Sequence, residues 1–183
     1  MQNVPVLNII GPVGIGKSSV AEAISEILTN HLIPHAIVDL DDVRRAYPEP
    51  SDDPFHMMLG FRNLAAVWAN YQAVGARCLI IPSVMEQQSH FDEIRQAVPG
   101  TDLFVVRLEA PLEVNHARIR GREKTPESLK WHLNRSTQLR EELRQKQLED
   151  VVIETESKTP RDIATEIIAL WGVLEKIQPT NTR

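Results

Sequence analysis

The segment Gly11-Pro12-Val13-Gly14-Ile15-Gly16-Lys17-Ser18 places three glycines, a lysine and a hydroxyl at the offsets an anion cradle requires. Gly11, Gly14 and Gly16 let the backbone curl until successive N–H groups point at one centre. A phosphate suits that centre, and a helix beginning near Lys17 adds the positive end of its dipole. Lys17 then reaches the β- and γ-phosphates of a nucleotide, and the Ser18 hydroxyl is placed to ligate Mg2+. With Ser19 on the first helical turn, residues 11–19 are expected to form an ATP·Mg2+ site.

A second group is acidic. Asp39, Asp41 and Asp42 follow the short apolar run Ala36-Ile37-Val38. In an open parallel sheet, ligands collect at the carboxyl ends of strands, so these acids are expected beside the phosphate loop. If the strand continues, Asp39 and Asp41 project to one side and Leu40 to the other. One carboxylate can hold Mg2+, for which Asp39 is expected, and Asp39 or Asp41 can take the proton of an acceptor hydroxyl. The competing expectation is that Asp41 or Asp42 caps a short helix over Val43–Ala46.

A third group is basic. His116-Ala117-Arg118-Ile119-Arg120-Gly121-Arg122 precedes a long helical pattern that contains Arg135. Arg118 and Arg122 are expected to close over a triphosphate, neutralise moving charge and exclude water. The alternative is a solvated basic face paired with Glu113, Glu123 and Glu127. Arg44, Arg45 and Arg62 are candidates to grip an anionic acceptor, with Asp41 beside them. Phe55, Phe61 and Trp68 suit either an acceptor pocket or the core. Ser83 and Glu86 fall at the edge of the expected site. The histidines show no metal-ligand spacing, and Cys78 reads as strand filler.

The elements that must position these groups alternate between strand and helix patterns. Val4–Ile10, Ala36–Val38, Cys78–Ile81, Leu103–Leu108 and Val151–Ile153 read as buried strands, the third broken by Pro82. Helices are expected over Ser18–Leu28, Leu59–Val74 and Leu112–Arg120, with Gly121 interrupting. Thr125-Pro126 opens another to about Leu148, and Thr159-Pro160 opens the last. The three prolines and three acids of Pro48–Pro54 make a loop. The expectation is an α/β three-layer sandwich with a five-stranded parallel sheet and right-handed crossovers. Residues 1–177 read as one domain, with an Arg-rich lid at about 112–146 and a flexible tail at 178–183.

The 183 residues carry a net charge of −5, which argues against an electrostatic nucleic-acid binder. A single cysteine excludes an internal disulfide and points to a reducing cytoplasm. The apolar run stops at Gly11, too short for a signal peptide or membrane span. Monomer and homodimer both remain open.

These residues together resemble the small P-loop kinases, including adenylylsulfate, shikimate and gluconate kinases and chloramphenicol phosphotransferase-like proteins. The Walker A loop, strand-two acids, short third strand and Arg-rich segment carry the resemblance. It implies a five-stranded parallel core, ATP·Mg2+ as donor and a small hydroxylated acceptor. Asp39-Leu40-Asp41 is similar to the shikimate-kinase Asp-x-Asp, whose acids serve metal and acceptor. Asp41-Asp42-Val43-Arg44 and Leu59-Gly60-Phe61-Arg62-Asn63 resemble adenylylsulfate-kinase segments, with Arg62 and Asn63 adjacent where that family separates them.

The third strand ends Ile81-Pro82-Ser83 and the fourth Leu108-Glu109, so neither supplies the metal-binding Asp of hydrolysing P-loop proteins, and no guanine-recognition or transporter-ATPase signature is present. The expected function is therefore transfer of phosphate from ATP·Mg2+ to a small-molecule hydroxyl. A nucleotide or nucleoside kinase is the nearer alternative. A non-catalytic ATP-binding sensor or partner module is the more distant one.

Overall fold

Val4–Ile10 forms β1, and all seven of its residues are buried. A strand is covered on both faces only inside a sheet flanked by helices. In the computed structural model, which describes residues 3–177, β1 lies at the centre of that sheet. The other strands are β2 (His35–Ile37), β3 (Cys78–Pro82), β4 (Thr101–Glu109) and β5 (Val151–Glu154). Their order is β2-β3-β1-β4-β5 and every pairing is parallel. The tail expected at 178–183 lies outside the described residues.

Strand alternation divides β1 between two cores. Leu7 and Ile9 pack with Ile24 and Leu28 of α1 (Lys17–Asn30) and with Ile163, Ile167 and Trp171 of α7 (Pro160–Trp171). Val6 and Ile10 pack with Phe61, Leu64 and Trp68 of α3 (Met57–Ala73) and with Phe91 and Ile94 of α4 (Gln88–Ala97). The result is the expected three-layer arrangement. Asn8 falls on the second face, where its amide donates to Ile81 O at 2.7 Å and to Ser83 Oγ at 2.8 Å. This pins the carboxyl end of β3 to β1.

Two short helices are α2 (Leu40–Val43) and α8 (Val173–Lys176), and α5 (Leu112–Arg122) and α6 (Pro126–Lys146) cover the end of β4. Among the described residues, no helix is long and apolar enough to cross a membrane.

Several boundaries differ from expectation. Gly121 does not interrupt its helix, since α5 continues to Arg122. Pro82 ends β3 rather than breaking it, paired with Ile9. Ser83 N donates toward β1, to Ile9 O at 3.0 Å, so alternation turns the proline nitrogen toward the β2 side. There β2 has already ended at the Ile37–Ile80 pair, and no ladder bond is lost. α4 lies in a stretch for which no helix is expected; Phe91, Ile94 and Ala97 give it a buried face at helical spacing.

Candidate active site

The carboxyl ends of the parallel strands open onto one cavity of about 690 Å³. Val13, Gly14, Gly16, Lys17, Ser18 and Ser19 form its floor. Gly14 has φ +82°, and a Cβ there would stand 2.4 Å from Ile119 Cγ1, so only glycine fits. Gly16 has φ +106° and caps α1 with nothing near its Cα, leaving the helix N-terminus open to a ligand. Gly11, Pro12 and Ile15 shape the loop without lining the cavity. Ile15 is buried in the core. The carbonyls of Gly11 and Pro12 accept from Lys17 Nζ at 3.0 and 3.2 Å.

Burial pushes the Lys17 ammonium down to about 8; Asp41 and Asp39 oppose the shift, and Arg122 and Arg44 add to it. A bound triphosphate would replace two neutral carbonyls with full negative charge and restore the protonated form.

Asp39 and Asp41 both line the cavity. Asp39 accepts from Ser18 Oγ at 2.8 Å and from Asp41 N at 3.0 Å, so the N-cap of α2 is Asp39 and not the downstream acids. The helix expected over Val43–Ala46 is displaced to Leu40–Val43 because the capping oxygen comes earlier. Burial raises the Asp39 carboxyl above its ordinary value, against the hydrogen bonds from Ser18 and Asp41. Asp41 faces Arg44 in an ion pair. Ser18 and Asp39 together present two hard oxygen donors at the loop mouth, a set that fits a Mg2+ retaining water and phosphate ligands. Among the described residues, no group of three or more His, Cys, Asp or Glu could hold a metal.

The basic residues separate. Arg122 lines the cavity and pairs with Glu123. Arg118 does not line it, contrary to expectation. Its guanidinium donates to Ile15 O at 3.1 Å, Thr155 Oγ1 at 3.0 Å and Thr155 O at 2.9 Å. It therefore ties the phosphate loop to the segment after β5. One helical turn places Asn115 beside it, and the Asn115 amide donates to Val13 O at 3.0 Å and to Ser136 Oγ on α6 at 2.7 Å. Sequence reasoning missed Asn115; its one signal is a polar residue on the otherwise apolar stripe of Leu112 and Ile119.

Arg62 is likewise misplaced by expectation. It lies in a groove between α3 and α4 with Met58, Phe61, Ala65 and Glu93, away from the cavity. Gly60 permits α3 to approach Arg44 and Leu40 closely, which turns the next residues outward or into the core. Phe61 and Trp68 are core, whereas Phe55 lines the cavity. Arg44 and Arg45 line it too, as do Arg135 and Glu86, which form an ion pair across it. Burial raises the Glu86 carboxyl despite Arg135. Ser83 is buried against Asn8 and does not line the cavity.

Behind α6, Glu109 at the end of β4 accepts from Arg107 and Arg144. Burial works to raise its carboxyl, but the hydrogen bonds from Arg144 and Arg107 outweigh it and hold the group below its ordinary value. The cluster fastens α6 to the sheet.

A parallel sheet in this order, entered by a phosphate loop and bearing acids after β2, is the fold of the small P-loop kinases. Among solved structures the chain is similar to a tunicamycin resistance protein from Deinococcus radiodurans, with 22% identity over 93% of this chain and 96% of that one, at a TM-score of 0.64. A gluconokinase from Sinorhizobium meliloti shares 23% identity over 94% and 93% of the two chains, at 0.60. The APS kinase of Mycobacterium tuberculosis, in complex with AMPPNP and APS, shares 19% over 94% and 99%, at 0.59. These likenesses are of fold. No protein-family model and no curated protein matches the chain.

Proposed function

We propose that the chain transfers the γ-phosphate of ATP to a hydroxyl of a small molecule. The observation that carries this reading is the 2.8 Å contact of Ser18 with Asp39, which sets a strand-two acid over the phosphate loop inside one cavity. Lys17 leaves the loop carbonyls for the β- and γ-phosphates, and the open N–H groups before α1 hold the rest of the triphosphate. Ser18 and Asp39 hold Mg2+, which when bound neutralises phosphate charge. Asp41 orients the acceptor hydroxyl and receives its proton as the new O–P bond forms and the bond to ADP breaks. Arg122 adds positive charge beside the transferring group, and α5–α6 acts as a lid over residues 112–146 that excludes water. Arg118 holds the loop in shape. The small-kinase fold agrees with this chemistry, and the use of ATP suits work in the cytoplasm.

One observation favours a second reading, a non-catalytic ATP-binding module. β3 ends in Pro82-Ser83, with Ser83 bound to Asn8, where hydrolysing relatives carry an acid. ADP release from ATP·Mg2+, followed over a panel of hydroxylated compounds beside Lys17→Met, separates the two. Stimulation by one compound, lost in the variant, is expected. Tight ATP binding with no ADP release under any acceptor would establish the module instead.

A further inference from the structure

Three arginines besides Arg122 line the cavity, and each already faces a carboxylate. Arg44 pairs with Asp41, Arg45 with Asp42 and Arg135 with Glu86. Glu49 adds a further acid to the same wall, and Arg62 stands outside it. Two of these pairs, Arg44–Asp41 and Arg135–Glu86, have both partners in the cavity wall, whereas Arg45 and Asp42 meet in solvent. Taking a carboxylate or phosphate out of water is costly unless a cation is free to answer it, and a cation shared with a fixed carboxylate answers it poorly.

The same cavity offers aromatic surface. Phe55 and Trp131 are 48% and 50% exposed, whereas Phe61, Trp68, Phe91 and Trp171 are buried in the core. The Arg135 guanidinium lies 5.6 Å from the centre of the Phe55 ring. Trp131 is one helical turn before Arg135 on α6 and shares its face. Both rings line the cavity. Beside them, His56 Nε2 is buried without a hydrogen-bond partner.

Resting on the phosphotransferase reading above, we propose that the acceptor is an uncharged hydroxylated compound carrying a flat ring, held against Phe55 and Trp131, and not an organic acid. A nucleoside and an aryl glycoside share this chemistry. The ring stacks on the aromatic faces, and its sugar hydroxyls turn toward Asp41.

Trp131 reports binding without turnover, because Trp68 and Trp171 are each only 2% exposed. With AMPPNP·Mg2+ bound, acrylamide quenching of tryptophan fluorescence is followed during titration with two matched pairs. These are phenyl β-glucoside against phenyl β-glucuronide, and uridine against uridine 5′-monophosphate. At least one neutral member is expected to shield Trp131 and to bind about tenfold more tightly than its acidic partner. Trp131→Phe should abolish the signal, and Phe55→Ala should weaken binding by about tenfold with AMPPNP affinity unchanged. Equal or tighter binding of the acidic members, or no shielding by any of the four compounds, overturns the proposal. ADP release with the same compounds keeps the two readings apart. Ring binding without ADP release would sink the phosphotransferase reading alone, and release driven by the acidic members would sink this one alone.

Discussion

Ser18 Oγ donates to Asp39 Oδ2 at 2.8 Å, joining the first turn of α1 to the N-cap of α2, two residues past β2. These elements follow β1 and β2, which are not neighbours, because β3 lies between them in the sheet. The contact therefore bridges the carboxyl end of β3, where the cavity opens.

Asp39 and Asp41 should fail differently. If Asp39 holds Mg2+ as proposed, Asp39→Asn is expected to raise the Mg2+ concentration needed for half-maximal activity. If Asp41 takes the acceptor proton as proposed, Asp41→Asn is expected to lower kcat by about 10²–10⁴ with the KM for ATP nearly unchanged. Mg2+ titrations and steady-state kinetics on both variants check this. Identical profiles would show that the two acids do not divide the work.

Lys17 gives a pH signature. Its folded value is lowered to about 8 from 10.5, so the unfolded chain holds this proton through a window in which the folded chain has lost it. Stability from this group therefore rises between pH 8 and 10.5 and is at its lowest below that window. Lys17→Met should raise stability at pH 7 by about 1–2 kcal/mol while abolishing ATP binding. ATP binding to the natural chain should take up a proton above pH 8. Calorimetry in buffers of different ionisation enthalpy measures that uptake, and a buffer-independent heat at pH 9 would contradict it.

Arg118 and Asn115 hold the phosphate loop by Ile15 O and Val13 O. Their loss should loosen the loop without removing charge from the cavity. Arg118→Ala and Asn115→Ala are each expected to raise the KM for ATP by about tenfold and to cost about 1–3 kcal/mol of stability, with a smaller change in kcat. A fall in kcat alone would return Arg118 to the reacting phosphates.

The sheet and its longer helices other than α4 were legible because each rests on local periodicity: the apolar strands, the Thr125 and Thr159 caps, and the glycines of the phosphate loop. The strand-two acids were legible for a topological reason, since parallel strands bring their carboxyl ends to one edge. The arginines were not. Arg118 and Arg122 are one turn apart on α5, yet one braces the loop and the other faces the cavity. That outcome depends on Thr155 and Ile15, remote in sequence, arriving within reach of Arg118. Arg62 and Asn115 failed to be read for the same reason, because helix rotation about its axis is fixed by packing partners. α4 was passed over because Gln87 supplies no side-chain cap and its buried face is only a few residues wide.

Gly121 was expected to break a helix that in fact continues through it. It lies in α5 outside the positive-φ region, and an added Cβ would meet nothing within 4 Å. Gly121→Ala should therefore stabilise the chain by about 0.5–1 kcal/mol, read as a shift in the denaturant midpoint. A loss of stability would show that the end of α5 uses a glycine conformation.

The most direct test follows the phosphorus itself. ATP labelled at the γ-phosphate is incubated with the chain, Mg2+ and a ring-bearing neutral acceptor such as uridine or phenyl β-glucoside, and the products are separated. Transfer to a hydroxyl predicts label in an organic phosphate ester, absent with Lys17→Met. Label appearing only as inorganic phosphate, or remaining wholly in ATP that is nevertheless bound, would contradict it.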